Sequence, residues 1–325
     1  MSKEFLILVT LVVFTAFAFA GFSQTEAHIE IGSGELSTDT VEKEDPVSHK
    51  EKEEEERLKR IEELIEEKIY LMWRVSGIEM KEKISARSFT VVNLSQDGNV
   101  LLKRDGDKAY PIASITKLLS SVVAVENLDI EETIILTPPM LESHGYSPSL
   151  FPGAIVRAKD LMKASLIQST NDASESLTYF MDRGVLVGLM NIKAQNIGMT
   201  DSFFYDAHGL SPGNVSTVDD IVKLLEYIME EHPEILEITC QEDFRLPNVY
   251  GTPLTFRNLN LLHNIPPESF IGGKTGYLPE AKQTYTSLFK IGDDVFAVVI
   301  LMSENRRSDL ESIYEWLNKN PRLRN

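Results

Sequence analysis

Ser114 and Lys117 lie in the stretch Pro111–Ser121, PIASITKLLSS, at the head of an apolar run through Leu118, Leu119, Val122 and Val125. That spacing predicts a buried helix that begins at Ser114. Positions three apart share a helix face, so the Lys117 amine comes to lie beside the Ser114 hydroxyl. A serine hydroxyl is a weak nucleophile at neutral pH and needs a base. A lysine serves when burial and nearby positive charge depress its pKa. The backbone N–H groups of a helix start supply donors for a developing oxyanion. Taken alone, Ser-x-x-Lys is equally what a capping Ser and a solvent-facing Lys would give.

Two further segments follow in order, Ser169-Thr170-Asn171 and Lys274-Thr275-Gly276. Ser169 can relay a proton between Lys117 and a leaving amine. Asn171 offers an amide donor and acceptor to orient a peptide bond. Lys274 and Thr275 can bind an anion, such as a substrate's terminal carboxylate, from a strand edge. Gly276 allows backbone to approach substrate closely. Singly, these are a helix cap, a polar loop residue and an exposed lysine near a turn. Together and in this order they form the three-part signature of serine acyl-transfer enzymes.

A chain of 325 residues can bury a large core, as one large domain or two small ones. Its net charge of −18 excludes nucleic acid as a partner. Residues 26–68 carry 7 Lys/Arg against 16 Asp/Glu, so half of that charge is local. Cys240 is the only cysteine, which rules out an intrachain disulfide. The six histidines are scattered without a His-Glu-x-x-His run, so no metal site and no zinc hydrolase is expected.

Phe5–Phe22, FLILVTLVVFTAFAFAGF, is continuous in small and apolar residues at the extreme N-terminus. Residues 1–22 therefore read as a signal peptide, cleaved after Ala20, or as an uncleaved membrane anchor. Lys3 before it and Glu26 after it put the rest of the chain outside the cytoplasm. Residues 23–51 form a polar linker, and residues 52–76 an acidic amphipathic stalk helix with one packed apolar stripe, ended by Ser76-Gly77. Residues 77–325 form the main domain. Ser88–Leu94 and Val100–Lys103 pair about Asp97-Gly98. Ala158–Gln168, Asn171–Arg183 and Val185–Asn196 are helices, and Ser216 or Thr217 caps another over Asp220–Glu230. Phe270–Tyr277, Thr284–Ile291 and Val295–Met302 are strands, and Ser308–Asn318 is a closing helix. Strands at both ends of a helical middle predict an α/β (α+β) architecture, an antiparallel sheet covered by helices with an inserted all-helical lobe.

From about Ser85 to Met302 the sequence resembles the D-alanyl-D-alanine carboxypeptidases, the low-molecular-mass penicillin-binding proteins. The blocks are PIASITK at Pro111–Lys117, STNDA at Ser169–Ala173, MNIKAQNIGM at Met190–Met199, HGL at His208–Leu210 and GGKTGY at Gly272–Tyr277. The resemblance implies the β-lactamase/transpeptidase-like fold and no cofactor. It implies that Ser114 is acylated by the penultimate D-Ala carbonyl of a peptidoglycan stem peptide, with Lys117 as base and Ser169 as proton relay. Asn171 would hold the peptide, and Lys274 and Thr275, beside Gly276, would grip the terminal carboxylate. The N–H groups of Ser114 and Tyr277 would form the oxyanion hole. β-Lactams would acylate Ser114 in the same way, and the setting would be the extracytoplasmic cell envelope.

Thr170 departs from the family's usual Gly or Ala, and Leu278 and Lys282 from a common Thr and Gly. With no C-terminal β domain expected, any anchoring falls to Phe5–Phe22. The nearest alternative is a D,D-endopeptidase of the same fold. A class A β-lactamase would need a water-activating carboxylate between the second and third motifs, and Glu234-Ile235-Leu236 does not fit that pattern. A non-catalytic wall-binding protein would have no reason to keep Ser114, Lys117, Ser169 and Lys274 together.

Overall fold

Alternation of side chains along β11 (Asp294–Ser303) divides the interior in two. Phe296, Val298 and Ile300 enter one apolar cluster, and Ala297, Val299 and Leu301 enter the other. The computed structural model describes residues 46–320 except 97, 144–149, 248–252 and 263. Residues 1–22 and nearly all of the expected linker lie outside the described residues.

Five strands form the main sheet in the order β2-β1-β11-β10-β9. They are β1 (Ser88–Asn93), β2 (Asn99–Arg104), β9 (Phe270–Leu278), β10 (Lys282–Ile291) and β11, and every neighbouring pair is antiparallel. The first and last strands of the main domain thus pair in one sheet, with Ser88 opposite Leu301. Strand β9, which carries Lys274-Thr275-Gly276, is an edge strand.

One sheet face is covered by α8 (Arg306–Lys319), through Leu310, Ile313, Trp316 and Leu317. The other is covered by the helical middle: α2 (Thr116–Asn127), α3 (Ala158–Ile167), α4 (Asn171–Leu177), α5 (Arg183–Asn196), α6 (Val218–Glu231) and α7 (Pro233–Cys240). Two-stranded pairs join these helices: β3 (Tyr110–Pro111) with β6 (Val215–Ser216), and β4 (Thr133–Ile135) with β5 (Ile155–Arg157). A third pair, β7 (Asp243–Leu246) with β8 (Leu254–Arg257), occupies a stretch that carries no clear sequence pattern.

Two expectations are corrected. Helix α1 (Pro46–Lys83) does not stop at Ser76-Gly77 but runs through it. Ser76 Oγ lies 3.3 Å from Trp316 Nε1, and a Cβ on Gly77 would be 3.4 Å from Leu102. Packing there outweighs the roughly 1 kcal/mol helix cost of glycine. Near its end α1 packs through Met80, whereas Leu58, Ile61, Leu64, Ile65 and Met72 of the expected stripe are exposed. Among the described residues, contacts group 46–62 apart from 63–320, and the first group holds the pairs Arg57–Glu54 and Arg60–Glu56 at 3.6 Å.

The second correction concerns Asn171–Arg183, which is not one helix. A 3-10 turn at Thr178–Phe180 ends it, because Asp182 accepts from Gly184 N at 2.8 Å and Val185 N at 3.3 Å and so starts α5. Elsewhere Thr217 caps α6 as expected, accepting from Asp220 N at 3.0 Å.

Asp309, at the start of α8, ties the segment before β1 to the end of β11. Its buried carboxylate accepts from Ser85 N and Ser85 Oγ at 2.8 Å, Ala86 N at 3.1 Å and Ser303 Oγ at 2.6 Å. Asp309→Ala leaves the Ala86 amide buried without an acceptor. It is expected to cost about 2–3 kcal/mol, read from the urea unfolding midpoint.

Candidate active site

Ser114, the expected nucleophile, sits on a bent turn rather than on the first regular turn of a helix. Ala113–Ile115 is a 3-10 turn, and α2 begins at Thr116. Ala113 has φ 50°, a left-handed conformation that a residue with a Cβ rarely adopts. Contacts from three sides hold it there. Ile112 O accepts from Thr284 Oγ1 at 3.1 Å. A Cβ on Gly276 would be 3.0 Å from Ser114 N and 2.4 Å from Thr284 Oγ1. Gly209, at φ +83°, lies so close that a Cβ would come within 2.1 Å of Ala113 O.

Lys117 is fully buried. Its Nζ lies 2.9 Å from Ser114 Oγ, 2.8 Å from Asn171 Oδ1 and 2.5 Å from His208 O. None of the three is a carboxylate. Burial, only partly opposed by the Asp206 charge, brings Lys117 down to about 7. A neutral amine has two N–H donors and one lone pair. Asn171 Oδ1 and His208 O can only accept, so they hold the two donors, and the lone pair faces Ser114 Oγ. The arrangement can take the proton from the hydroxyl as the oxygen attacks.

The His208 carbonyl is placed by a loop tied at several points. Asp206 Oδ1 accepts from His208 N at 3.1 Å and Gly209 N at 2.5 Å, and Asp206 Oδ2 from Ser211 N at 2.6 Å. Asn214 Nδ2 donates to Thr116 Oγ1 at 3.1 Å and to Asp206 O at 3.0 Å, so the loop is bonded directly to α2. The His208 ring lies between Asp206 Oδ1 at 3.2 Å and Glu175 Oε2 at 3.4 Å. Burial opposes its charge, but the two carboxylates prevail and raise its pKa. Burial also works against Asp206, yet His208 and the Gly209 and Ser211 amides hold it down at about 2.

The second motif is brought only partly together with the first. Asn171, at the start of α4, reaches Lys117. Ser169 forms the half-buried corner before it, with φ 60°. Among the described residues it is not one of the hydrogen-bond partners of Lys117. In the third motif Lys274 is fully buried and Thr275 nearly so, whereas the Tyr277 side chain is exposed. Burial, with the Lys117 and Arg306 charges, pushes Lys274 well below the usual lysine range. Lys274 Nζ donates to Thr275 O at 3.0 Å. Arg306 donates to Gly276 O at 2.6 Å, fixing the strand that abuts Ser114. No group of three or more His, Cys, Asp or Glu among the described residues is arranged to hold a metal.

Nothing in the sequence pattern marks His208, Asn214, Asn260 and Arg306 for the contacts they make here. The His208-Gly209-Leu210 block was the one available signal. Asn260 and Arg306 act on backbone far along the chain and leave no local pattern.

Residues 76–305 match the D-alanyl-D-alanine carboxypeptidase family. The chain belongs to this family. It is 31% identical to the D-alanyl-D-alanine carboxypeptidase DacB2 of Mycobacterium tuberculosis over 204 residues, 62% of this chain and 69% of that one. It is 30% identical to a D-alanyl-D-alanine endopeptidase of Pseudomonas aeruginosa over 214 residues, 63% of this chain and 67% of that one. A penicillin-binding protein of Listeria monocytogenes, solved with ampicillin bound, matches with a TM-score of 0.63 and 25% identity, covering 73% of this chain and 97% of that one. The fold expected from the sequence is therefore the one observed. In this member of the family a buried lysine lies beside a serine on a strained turn.

Gly209→Ala puts a Cβ into the Ala113 carbonyl and displaces the nucleophile. Labelling of Ser114 by a fluorophosphonate is expected to slow by about 100-fold while the circular dichroism spectrum is kept.

Proposed function

We propose that this chain is a serine-type D-Ala-D-Ala carboxypeptidase that removes the terminal D-alanine from peptidoglycan stem peptides. The observation that carries the reading is the fully buried Lys117, whose Nζ lies 2.9 Å from Ser114 Oγ and is held by the neutral oxygens of Asn171 and His208. Ser114 Oγ attacks the carbonyl carbon of the penultimate D-Ala, and its proton passes to Lys117. The N–H groups of Ser114 and Tyr277 receive the oxyanion. Collapse breaks the peptide bond, and the proton passes from Lys117 through Ser169 to the departing D-Ala nitrogen. Asn171 orients the peptide, and Lys274 and Thr275, with Gly276 allowing close approach, hold the terminal carboxylate. Water then hydrolyses the ester and restores Ser114. β-Lactams acylate Ser114 by the same first step, in keeping with the ampicillin complex of the Listeria relative.

The second reading is a D,D-endopeptidase, favoured by the Pseudomonas relative of that name, which is almost as similar. The substrate places either enzyme outside the cytoplasm. Residues 1–22 would supply the export signal or the anchor. Among the described residues no helix is long and apolar enough to cross a membrane.

Incubation with a pentapeptide ending in D-Ala-D-Ala, and separately with cross-linked muropeptide dimers, distinguishes the two readings. Loss of one alanine from the pentapeptide, abolished in Ser114→Ala, is the expected result. Cleavage of dimers alone assigns the protein to the endopeptidase branch. Because the base must be neutral and its pKa is about 7, kcat/KM is expected to rise about tenfold per pH unit below that value and to level above it.

A further inference from the structure

Asn260 lies in the stretch after β8 and is fully buried. Its side chain joins the third motif to the end of α3, the helix that leads into the second. On one side Oδ1 accepts from Thr275 N at 3.0 Å and Thr275 Oγ1 at 3.1 Å, and stands 3.5 Å from Lys274 Nζ. On the other side Nδ2 donates to Leu166 O at 2.9 Å, in the last turn of α3 before the Ser169 corner. The backbone is fixed as firmly. Asn260 N donates to Asn258 Oδ1 at 2.6 Å, and Asn260 O accepts from Tyr285 OH at 2.7 Å. Leu259 N donates to Ile167 O at 3.0 Å, and Arg257 N to Gln168 Oε1 at 3.3 Å. The stretch is thus laced to the end of α3 and to the underside of β9.

We propose that Asn260 is a positioning residue that presents Lys274 and Thr275 to the substrate's terminal carboxylate and sets their distance from the Ser169 corner. The inference rests on the carboxypeptidase reading given above. Three features of the geometry carry it. First, a planar amide is a side chain that accepts on one edge and donates on the other, as Thr275 N and Leu166 O require. Second, Oδ1 already holds the Thr275 amide, so the Thr275 hydroxyl can turn to an incoming carboxylate without leaving a buried acceptor unpaired. Third, the group facing Lys274 is neutral. An aspartate there would put a full negative charge beside the ammonium and compete with the substrate's own carboxylate.

The test compares kcat/KM for a peptide ending in D-Ala-D-Ala with that for its C-terminal carboxamide, in the full-length wild-type, Asn260→Asp and Asn260→Ala proteins. The wild type is expected to prefer the acid. Asn260→Asp is nearly isosteric and is expected to lower the acid-to-amide ratio by about tenfold, through a rise in KM for the acid. Asn260→Ala should lower it in the same direction. Acid and amide rates that fall together, leaving the ratio unmoved, would show a purely structural role and overturn the inference, as would variants that match the wild type. A wild type that cleaves the acid but loses no discrimination in either variant sinks this inference alone. A wild type that cleaves neither peptide overturns the parent reading with it.

Discussion

A lysine with no access to water is the condition on which this site is built. Taking an ammonium out of solvent is costly unless a charge or strong dipoles replace the water. The chain supplies dipoles: a hydroxyl, a side-chain amide and a backbone carbonyl, at 2.9, 2.8 and 2.5 Å from Lys117 Nζ. They satisfy the amine without fixing its charge. A carboxylate in contact would have held the proton on the lysine and left Ser114 without a base. Asp206 is the acid in the neighbourhood, and it is occupied by the amides of His208, Gly209 and Ser211 and by the His208 ring. The 206–214 loop therefore does two things: it aims a carbonyl at Lys117, and it keeps a negative charge committed elsewhere.

Holding that geometry requires backbone strain at two places. Ala113 and Ser169 both adopt positive φ, at 50° and 60°. Each costs on the order of 1–3 kcal/mol, and such residues persist only where the surroundings over-determine them. Here the surroundings are the large apolar cluster beneath α2 and α3, with Ile112, Ile115, Leu118, Leu166 and Ile167 among its members. One strained residue precedes the nucleophile and the other opens the second motif. The core of the helical lobe thus maintains two corners that no local preference would choose.

Much of this was legible in the sequence because it rests on local periodicity. Alternation gave the strands, apolar spacing the helices, and Thr217 announced its helix by its own chemistry. Ser114 and Lys117 were readable because three residues of helix bring them together. The failures share a different cause. Helix α1 runs through Ser76-Gly77 because Trp316 and Leu102 lie against it, contacts made across more than 200 residues in the first case and 25 in the second. Asn171–Arg183 divides because Asp182 has amides within reach only once α5 has formed. The His208 contribution to the site is a carbonyl, which every residue possesses and no sequence pattern can mark.

The site's two buried lysines face the same problem and are given the same kind of neighbour for opposite ends. Lys117 is met by the amide of Asn171, and Lys274 by the more distant amide of Asn260 at 3.5 Å. Burial lowers both pKa values, and the positive charge of Lys117 lowers that of Lys274 further. A carboxylate beside either would relieve the burial at once and would end its usefulness: Lys117 would keep its proton, and Lys274 would already be paired. An apolar neighbour would leave N–H groups unsatisfied, which is costly in the interior. The amide lies between these limits. It satisfies donors while adding no net charge, which is what the proposed roles of the two lysines, proton exchange at one and anion binding at the other, require.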